Sequence, residues 1–229
     1  TGKTPVVRAI RAALAADGAA AATLSRGHGG RLTGPLKVDA ARHAAADVGD
    51  EPLLHARDGA AWIARNRLAG ARAMVVDGVK AIVMDDGFQN PALAKDLSLL
   101  VFDASAGAGN GRVLPAGPLR EPLEAGFARA DAIILMQSGE ETPHDDDTPL
   151  ARALAAFRGP VLHASLVPAA EAPAGPLVAF AGIGRPQKFY DTLTGLGATL
   201  ADAISFPDHH PYTEADLRRL RNHASAHGA

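Results

Sequence analysis

Residues 1–10 read TGKTPVVRAI, and this stretch decides how the rest of the chain is interpreted. Gly2, Lys3 and Thr4 match the last three positions of the phosphate-binding loop pattern G-x-x-x-x-G-K-[ST], whose first glycine would precede residue 1. From Pro5 onward, apolar residues recur at helical spacing, which predicts a helix directly after the lysine. A helix start offers free N–H groups and a positive dipole end to an anion. The structural alternative is an ordinary polar N-terminus.

Composition places the chain among globular proteins. Its 229 residues suffice for one large domain or two modest ones, and 47% of them are hydrophobic. A net charge of -2 and an aromatic content of 4% argue against broad nucleic-acid binding. Cysteine is absent, which excludes disulfides, thiol nucleophiles and cysteine-based zinc sites. No run of 18 apolar residues occurs in the sequence.

Short apolar runs that alternate with helical patterns predict the fold class. The runs cover residues 19–27, 79–87, 97–104 and 130–137. Such alternation indicates an α/β fold, a P-loop NTPase-like and mostly parallel sheet with helices on both faces. We expect this core to span residues 1–150.

A second, smaller α/β domain is expected over residues 151–229. The sequence turns polar, acidic and proline-containing after residue 137, which indicates a boundary or hinge. Beyond it, LVAFAGIG, RPQKFYDTLTGLG and TLADAISFPD read as strand, helix and strand. A final helix should begin after Thr213, because Asp216 follows three positions later in a capping-box pattern.

Two aspartates end the apolar run AIVMDDGFQN. Asp85 and Asp86 would lie at the carboxyl end of a buried strand, the sheet edge that faces the ligand crevice in open α/β proteins. P-loop enzymes use an aspartate in that place to hold Mg²⁺. The structural alternative is a common Asp-Asp-Gly turn that ends the strand.

The stretch VLPAGPLREPL presents a charged pair on a loop stiffened by three prolines. Arg120 and Glu121 stand between the last two of them. A rigidly held guanidinium suits phosphate binding, because its planar fork matches phosphate oxygens. A surface ion pair on a proline-rich turn is the alternative.

Four further side chains are candidates for catalysis or substrate binding. Asp50 in VGDEPLL is either a helix-capping residue or a general base that accepts a hydroxyl proton. His209 in SFPDHHPYT either hydrogen-bonds a catalytic carboxylate or belongs to a polar turn. Arg26 and His28 lie in the glycine-rich SRGHGGR, a flexible loop suited to an anionic substrate.

Taken together, these motifs resemble the tetraacyldisaccharide 4'-kinase family, the lipid A 4'-kinases. The resemblance covers most of the chain and rests, in order, on TGKTP, LSRGHGG, GDEPLL, MDDGFQN, LPAGPLREPL, AFAGIGRPQKFY and SFPDHHPYT. It implies a P-loop kinase with a hinged second domain. It also implies transfer of the γ-phosphate of ATP, with Mg²⁺, to the 4'-hydroxyl of an acylated glucosamine disaccharide. The reaction would take place on the cytoplasmic face of the bacterial inner membrane.

The resemblance also implies roles for individual residues. The nucleotide would be bound by Thr1, Gly2, Lys3 and Thr4, and the metal by Thr4, Asp85, Asp86 and Glu121. Asp50 would be the base, paired with His209. Arg120 would act at the phosphate, and Arg26 and His28 at the substrate. A membrane-associating segment and the first half of the phosphate loop would precede residue 1, so these 229 residues alone are expected to bind ATP poorly.

Two other functions are compatible with parts of the pattern. A P-loop GTPase of the metallochaperone or protein-targeting kind would carry an N-K-x-D guanine motif after a strand, and the sequence has none. A nucleotide-free α/β binding module would need no phosphate loop. ATP binding without a preference for GTP would favour the kinase.

Overall fold

The chain forms two compact units in the computed structural model, which describes residues 2–137 and 147–229. Unit 1 comprises Thr1–Leu166 and unit 2 comprises Val167–Ala229. The sequence analysis placed this boundary at residues 150/151. It lies later because a strand at Val161–Ser165 hydrogen-bonds to the strand at Ala132–Gln137 and so belongs to unit 1. The acidic stretch at 138–146, assigned no function above, lies outside the described residues.

Unit 1 alternates helices with short strands. Its elements in chain order are α1 (Lys3–Ala16), β1 (Ala21–Ser25), β2 (Leu36–Lys37), α2 (Ala45–Val48), α3 (Asp50–Asp58), β3 (Ala61–Ile63), α4 (Arg67–Val76), β4 (Ala81–Met84), β5 (Leu99–Asp103), α5 (Leu123–Phe127), β6 (Ala132–Gln137), α6 (Pro149–Ala156) and β7 (Val161–Ser165). The four strands predicted from the apolar runs are confirmed as β1, β4, β5 and β6. None of the helices in the described part of the chain is long and apolar enough to cross a membrane.

The first sheet of unit 1 has the order β2-β3-β1-β4. Strand β1 pairs in parallel with both β3 and β4, so Leu24 lies between Trp62 and Met84. Only β2 runs antiparallel, along β3. Since parallel strands end at the same edge, the residues that follow β1 and β4 emerge side by side.

The second sheet of unit 1 has the order β5-β6-β7 and is parallel throughout. Its central strand is nearly inaccessible: Ile133 is 0% and Leu135 4% exposed. Phe127 of α5 packs on this core, with its ring centroid 5.6 Å from that of Phe157. The predicted mostly parallel α/β core is therefore present, divided between two sheets whose strands β4 and β5 are not hydrogen-bonded to each other.

Helix α1 begins at Lys3, as the sequence predicts. Gly2 precedes it with a φ of 81°, a left-handed conformation that glycine adopts readily. A Cβ atom at Gly2 would lie 2.5 Å from Cγ of Met136 in β6, so only glycine fits there without displacing that side chain. Pro5 is tolerated because it stands in the first helical turn. The lysine is thus fixed at the start of a helix.

Unit 2 contains β8 (Pro176–Ala181), α7 (Pro186–Gly195), β9 (Thr199–Ser205) and α8 (Glu214–Ala226). The two strands pair in parallel, and α7 connects them. Tyr190 of α7 lies in the core, where its hydroxyl donates to the carbonyl of Ile204 at 2.7 Å. The predicted cap of α8 is confirmed: Thr213 and Asp216 form a capping box. Hydrogen bonds from Thr213 and His210 lower the pKa of Asp216 to about 2.

Candidate active site

Three charged side chains that are distant in sequence meet beyond the end of β4. Lys3 Nζ donates a hydrogen bond to Oδ1 of Asp86. Arg120 Nη1 donates to both carboxylate oxygens of Asp86 at 2.8 Å. Asp86 has a φ of 55°, a left-handed conformation that aspartate tolerates better than most residues. The cluster brings together TGKT, the Asp-Asp pair and the proline-rich loop.

The cluster carries fixed charge at neutral pH. Burial raises the pKa of Asp86, but hydrogen bonds from Lys3 and Arg120 lower it more, so the pKa falls below its ordinary value. One carboxylate therefore faces two cations. Each of the three side chains is at least 35% exposed, and an anion from solvent can reach the cations. Two solvent-accessible cations held side by side are the kind of group that binds phosphate oxygens in proteins.

Asp85, unlike Asp86, is almost inaccessible to solvent. Its side chain is 1% exposed, and its Oδ2 lies 2.8 Å from Nε2 of His55, which is fully buried. Asp85 Oδ1 and His55 Nδ1 are buried without hydrogen-bond partners among the described residues. The sequence analysis missed His55. The signal was its spacing: His55 stands three residues after Pro52, and the two form the buried face of α3.

The pairing of His55 with Asp85 yields a stability prediction. We expect His55→Ala to lower the free energy of unfolding by about 3–5 kcal/mol, because it leaves a buried carboxylate without its partner. Urea unfolding followed by circular dichroism measures this change. His43→Ala is the matched control: His43 Nδ1 accepts one hydrogen bond, from the Asp39 N–H at 3.0 Å, and its loss should cost about 1 kcal/mol or less. Equal decreases in the free energy of unfolding of the two variants would show that the buried His55–Asp85 pair stabilises the fold no more than an exposed hydrogen bond does.

Helix α3 brings two acidic residues to the same region. Burial, followed by the negative charges of Asp85 and Asp86, raises the pKa of Glu51, which places this carboxyl beside the cluster. Asp50 is the first residue of α3, and the N-cap position before it belongs to Gly49. Asp50 therefore does not act as the N-cap, the structural alternative considered above, although a carboxylate there still favours the helix dipole.

The proline-rich loop is anchored to the DDGFQ motif through Glu121. Gln89 Nε2 donates to Glu121 Oε1 at 2.9 Å, and Arg129 donates to Oε2. The Arg129 guanidinium also lies 4.9 Å from the ring centroid of Phe88. Glu121, whose side chain is 22% exposed, is held in place by these contacts. Its role as a metal ligand stays a prediction.

Several of the charged side chains described above line a cavity of about 770 Å³. Its lining includes Lys3, Asp85, Asp86, Arg120 and Glu121. The rest of the lining is largely apolar and comes mainly from α1, β4, β5, α5 and the loop between β4 and β5. Five of the residues predicted from sequence thus share one concave site, as is typical of ligand-binding clefts.

The predicted substrate-binding residues lie on the loop that follows β1. Arg26 and His28 are both exposed. A Cβ atom on Gly49 would lie 2.2 Å from the His28 carbonyl oxygen, so this loop contacts the start of α3. Arg67, which the sequence analysis missed, is 5% exposed; burial and then the charge of Arg26 lower its pKa.

The remaining predicted residues occupy defined positions. Thr4 is the second residue of α1, and Thr1 lies outside the described residues. His209 belongs to unit 2, in the turn after β9, where it adopts a φ of 56° and its N–H donates to the carbonyl of Gly182 at 3.0 Å. The pairing of His209 with Asp50 stays a prediction.

Comparison with known proteins gives a consistent result. A family model described as LpxK, tetraacyldisaccharide-1-P 4'-kinase, matches residues 1–229. The chain is 57% identical to the tetraacyldisaccharide 4'-kinase of Hyphomonas neptunium, covering 100% of this chain and 66% of that relative. It is 55% identical to that of Rhodospirillum centenum, covering 98% and 66%. The chain thus spans about two thirds of the length of these curated relatives.

A solved structure has a similar fold. The crystal structure of LpxK from Aquifex aeolicus in complex with ATP is 28% identical and superimposes with a TM-score of 0.70. The match covers 93% of this chain and 69% of that one.

Proposed function

The chain belongs to the tetraacyldisaccharide-1-P 4'-kinase family, and on that premise we propose that it transfers the γ-phosphate of ATP to the 4'-hydroxyl of a tetraacylated glucosamine disaccharide 1-phosphate. The observation that carries this proposal is the cluster of Lys3, Asp86 and Arg120 at the start of α1. Both cations there reach solvent, and the Aquifex relative was solved with ATP. This reaction would be one step of lipid A synthesis.

Lys3 and Arg120 would hold the transferred phosphate. Backbone N–H groups at the start of α1 add their dipoles to the same anion. In phosphoryl transfer the charge spreads over the equatorial oxygens, so fixed cations stabilise the transition state more than the ground state. Asp86 orients both cations, because its two oxygens accept hydrogen bonds from them.

The side chains at the site fit Mg²⁺. Their donor atoms are oxygens, which this hard cation prefers, and Asp85 Oδ1 is a buried oxygen without a hydrogen-bond partner among the described residues. Thr4, Asp85, Asp86 and Glu121 would hold the ion. Bound there, Mg²⁺ would neutralise charge on the phosphate oxygens.

Asp50 would act as the general base. It would accept the proton of the 4'-hydroxyl as that oxygen forms its bond to the γ-phosphorus, while the bond to the leaving oxygen of ADP breaks. The proposal is supported by Glu51, the neighbour of Asp50, because the charges of Asp85 and Lys3 affect its pKa. Arg26 and His28, on the adjoining loop, would contact the anionic disaccharide.

The substrate determines where the reaction takes place. Four acyl chains hold the disaccharide in a bilayer, so the site would work at a membrane surface, which we infer to be the cytoplasmic face of the inner membrane. The GTPase alternative is not favoured, because the relatives that cover this chain are kinases and the sequence has no N-K-x-D motif.

The test is phosphate transfer by the protein expressed from its complete reading frame. The enzyme is incubated with γ-labelled ATP or GTP and the disaccharide 1-phosphate lipid in mixed micelles, and the position of the label is mapped. The proposal predicts label on the 4'-oxygen, with ATP as the better donor. Label released only as inorganic phosphate, or GTP as the preferred donor, would contradict it.

A further inference from the structure

Unit 2 contains a group of three potential metal ligands that the kinase chemistry does not use. Asp202 lies on β9, His223 on α8 and His227 immediately after α8. One ligand atom from each residue lies within 4.8 Å of the other two. Among the residues that the structure describes, this is the one set of three or more such groups this close together.

The carboxylate is already oriented. Asp202 Oδ1 accepts the backbone N–H of Ala203 at 2.8 Å, and Oδ2 lies 2.7 Å from Nε2 of His223. Along β9 the burial alternates, and Asp202 falls on the less exposed face with Leu200 and Ile204.

The two histidines have the spacing that helical metal sites use. Residues four apart lie on the same face of a helix, and the ring centroids of His223 and His227 are 4.2 Å apart. His227 Nδ1 lies 2.9 Å from the carbonyl oxygen of His223, to which it donates. Metal-ligating histidines typically donate their second ring nitrogen in this way, and the bond leaves Nε2 of His227 available as a ligand.

We propose that Asp202, His223 and His227 bind a divalent transition metal, with Zn²⁺ as the ion that best suits them. Two imidazole nitrogens and one carboxylate oxygen form a three-ligand zinc set, and water would complete the tetrahedron. Bonds of about 2.0–2.2 Å place adjacent ligand atoms about 3.3 Å apart. The gap between His223 and Asp202, now 2.7 Å, would therefore open by a fraction of an ångström. The ion would tie the end of α8 to β9.

The same unit provides a matched control. His210 Nε2 lies 3.2 Å from Oδ2 of Asp216, which makes a second histidine–carboxylate pair in a similar setting. It belongs to no three-ligand group in the described part of the chain. A preference of Zn²⁺ for any histidine–carboxylate pair would therefore be seen at His210 as well.

The test is titration of the protein from its complete reading frame with ZnCl₂ by calorimetry, and with CoCl₂ by visible absorption. We expect saturable binding with a tetrahedral cobalt spectrum. His227→Ala and Asp202→Asn should each weaken binding about tenfold or more, since even outer-shell changes at zinc sites cost about 10–100-fold. His210→Ala should bind as the wild type does.

The thermal midpoint provides a second readout. Zn²⁺ should raise it in the wild type and in His210→Ala, because an ion bound only by the folded state stabilises that state, but not in His227→Ala. His227 is exposed at the helix end, so its variant is expected to fold. If His227→Ala and the wild type bind Zn²⁺ equally, or if no saturable binding occurs, Asp202 and His223 form only a hydrogen-bonded pair beside His227, and the proposal is overturned.

Discussion

Asp86→Asn is expected to lower kcat for phosphate transfer by about 10²–10³-fold, the scale of losing one preorganised electrostatic group at a reacting centre. Asparagine keeps the size of the side chain but removes the charge that aligns Lys3 and Arg120. Stability should change little, because partly exposed ion pairs contribute about 0–1 kcal/mol. Steady-state kinetics over a range of Mg²⁺ concentrations, with a thermal melt, measures both quantities.

Asp77→Asn is the control for this prediction. Asp77 also accepts from a lysine, Lys37 Nζ at 2.7 Å, and its side chain is 41% exposed, close to the 37% of Asp86. Its variant should retain normal turnover. A near-normal rate for Asp86→Asn at limiting Mg²⁺ would contradict a catalytic role and leave Asp86 as part of the turn that follows β4.

Asp50→Asn is expected to lower kcat by about 10²–10⁴-fold, the usual contribution of a positioned general base. Affinity for ATP should be unchanged, because the base contacts the acceptor hydroxyl rather than the nucleotide. The melting temperature should stay close to that of the wild type, since the N-cap of α3 is Gly49. Rapid-quench kinetics with both substrates saturating separates the chemical step from binding.

Glu51→Gln distinguishes the base from its neighbour. The raised pKa of Glu51 makes it the rival candidate, and both residues stand in the first turn of α3. We expect Glu51→Gln to retain most of its turnover. If Glu51→Gln abolishes transfer while Asp50→Asn does not, the base is Glu51. If Asp50→Asn only lowers the melting temperature, its role is structural.

The sequence predicts much of the site because its motifs lie at the ends of predictable elements. Lys3 follows the glycine at a helix start, and Asp86 follows an apolar run, so both positions could be inferred from local pattern. Asp85 and Asp86 follow β4 in a turn, and they differ in burial: Asp85 is 1% and Asp86 37% exposed. Which of the two would be buried depends on His55, and that contact spans 30 residues.

Other features depend on tertiary packing and could not be predicted from local pattern. Arg67 is buried in α4, whereas arginine usually lies at the surface, and no periodicity marks it as an exception. The boundary between the units lies beyond β7 because that strand pairs with β6, and pairing partners are not encoded locally. The same holds for the division of unit 1 into two sheets.

The most direct test of the central claim, that Lys3 contacts the transferred phosphate, is the single-turnover rate of transfer in Lys3→Ala compared with Lys37→Ala. Both lysines donate to an aspartate, but of the two only Lys3 lines the cavity. The predicted result is a loss of about 10²–10³-fold for Lys3→Ala, as for other groups that stabilise charge in a transition state, and a normal rate for Lys37→Ala. Equal rates in the two variants at saturating ATP and lipid would contradict the claim.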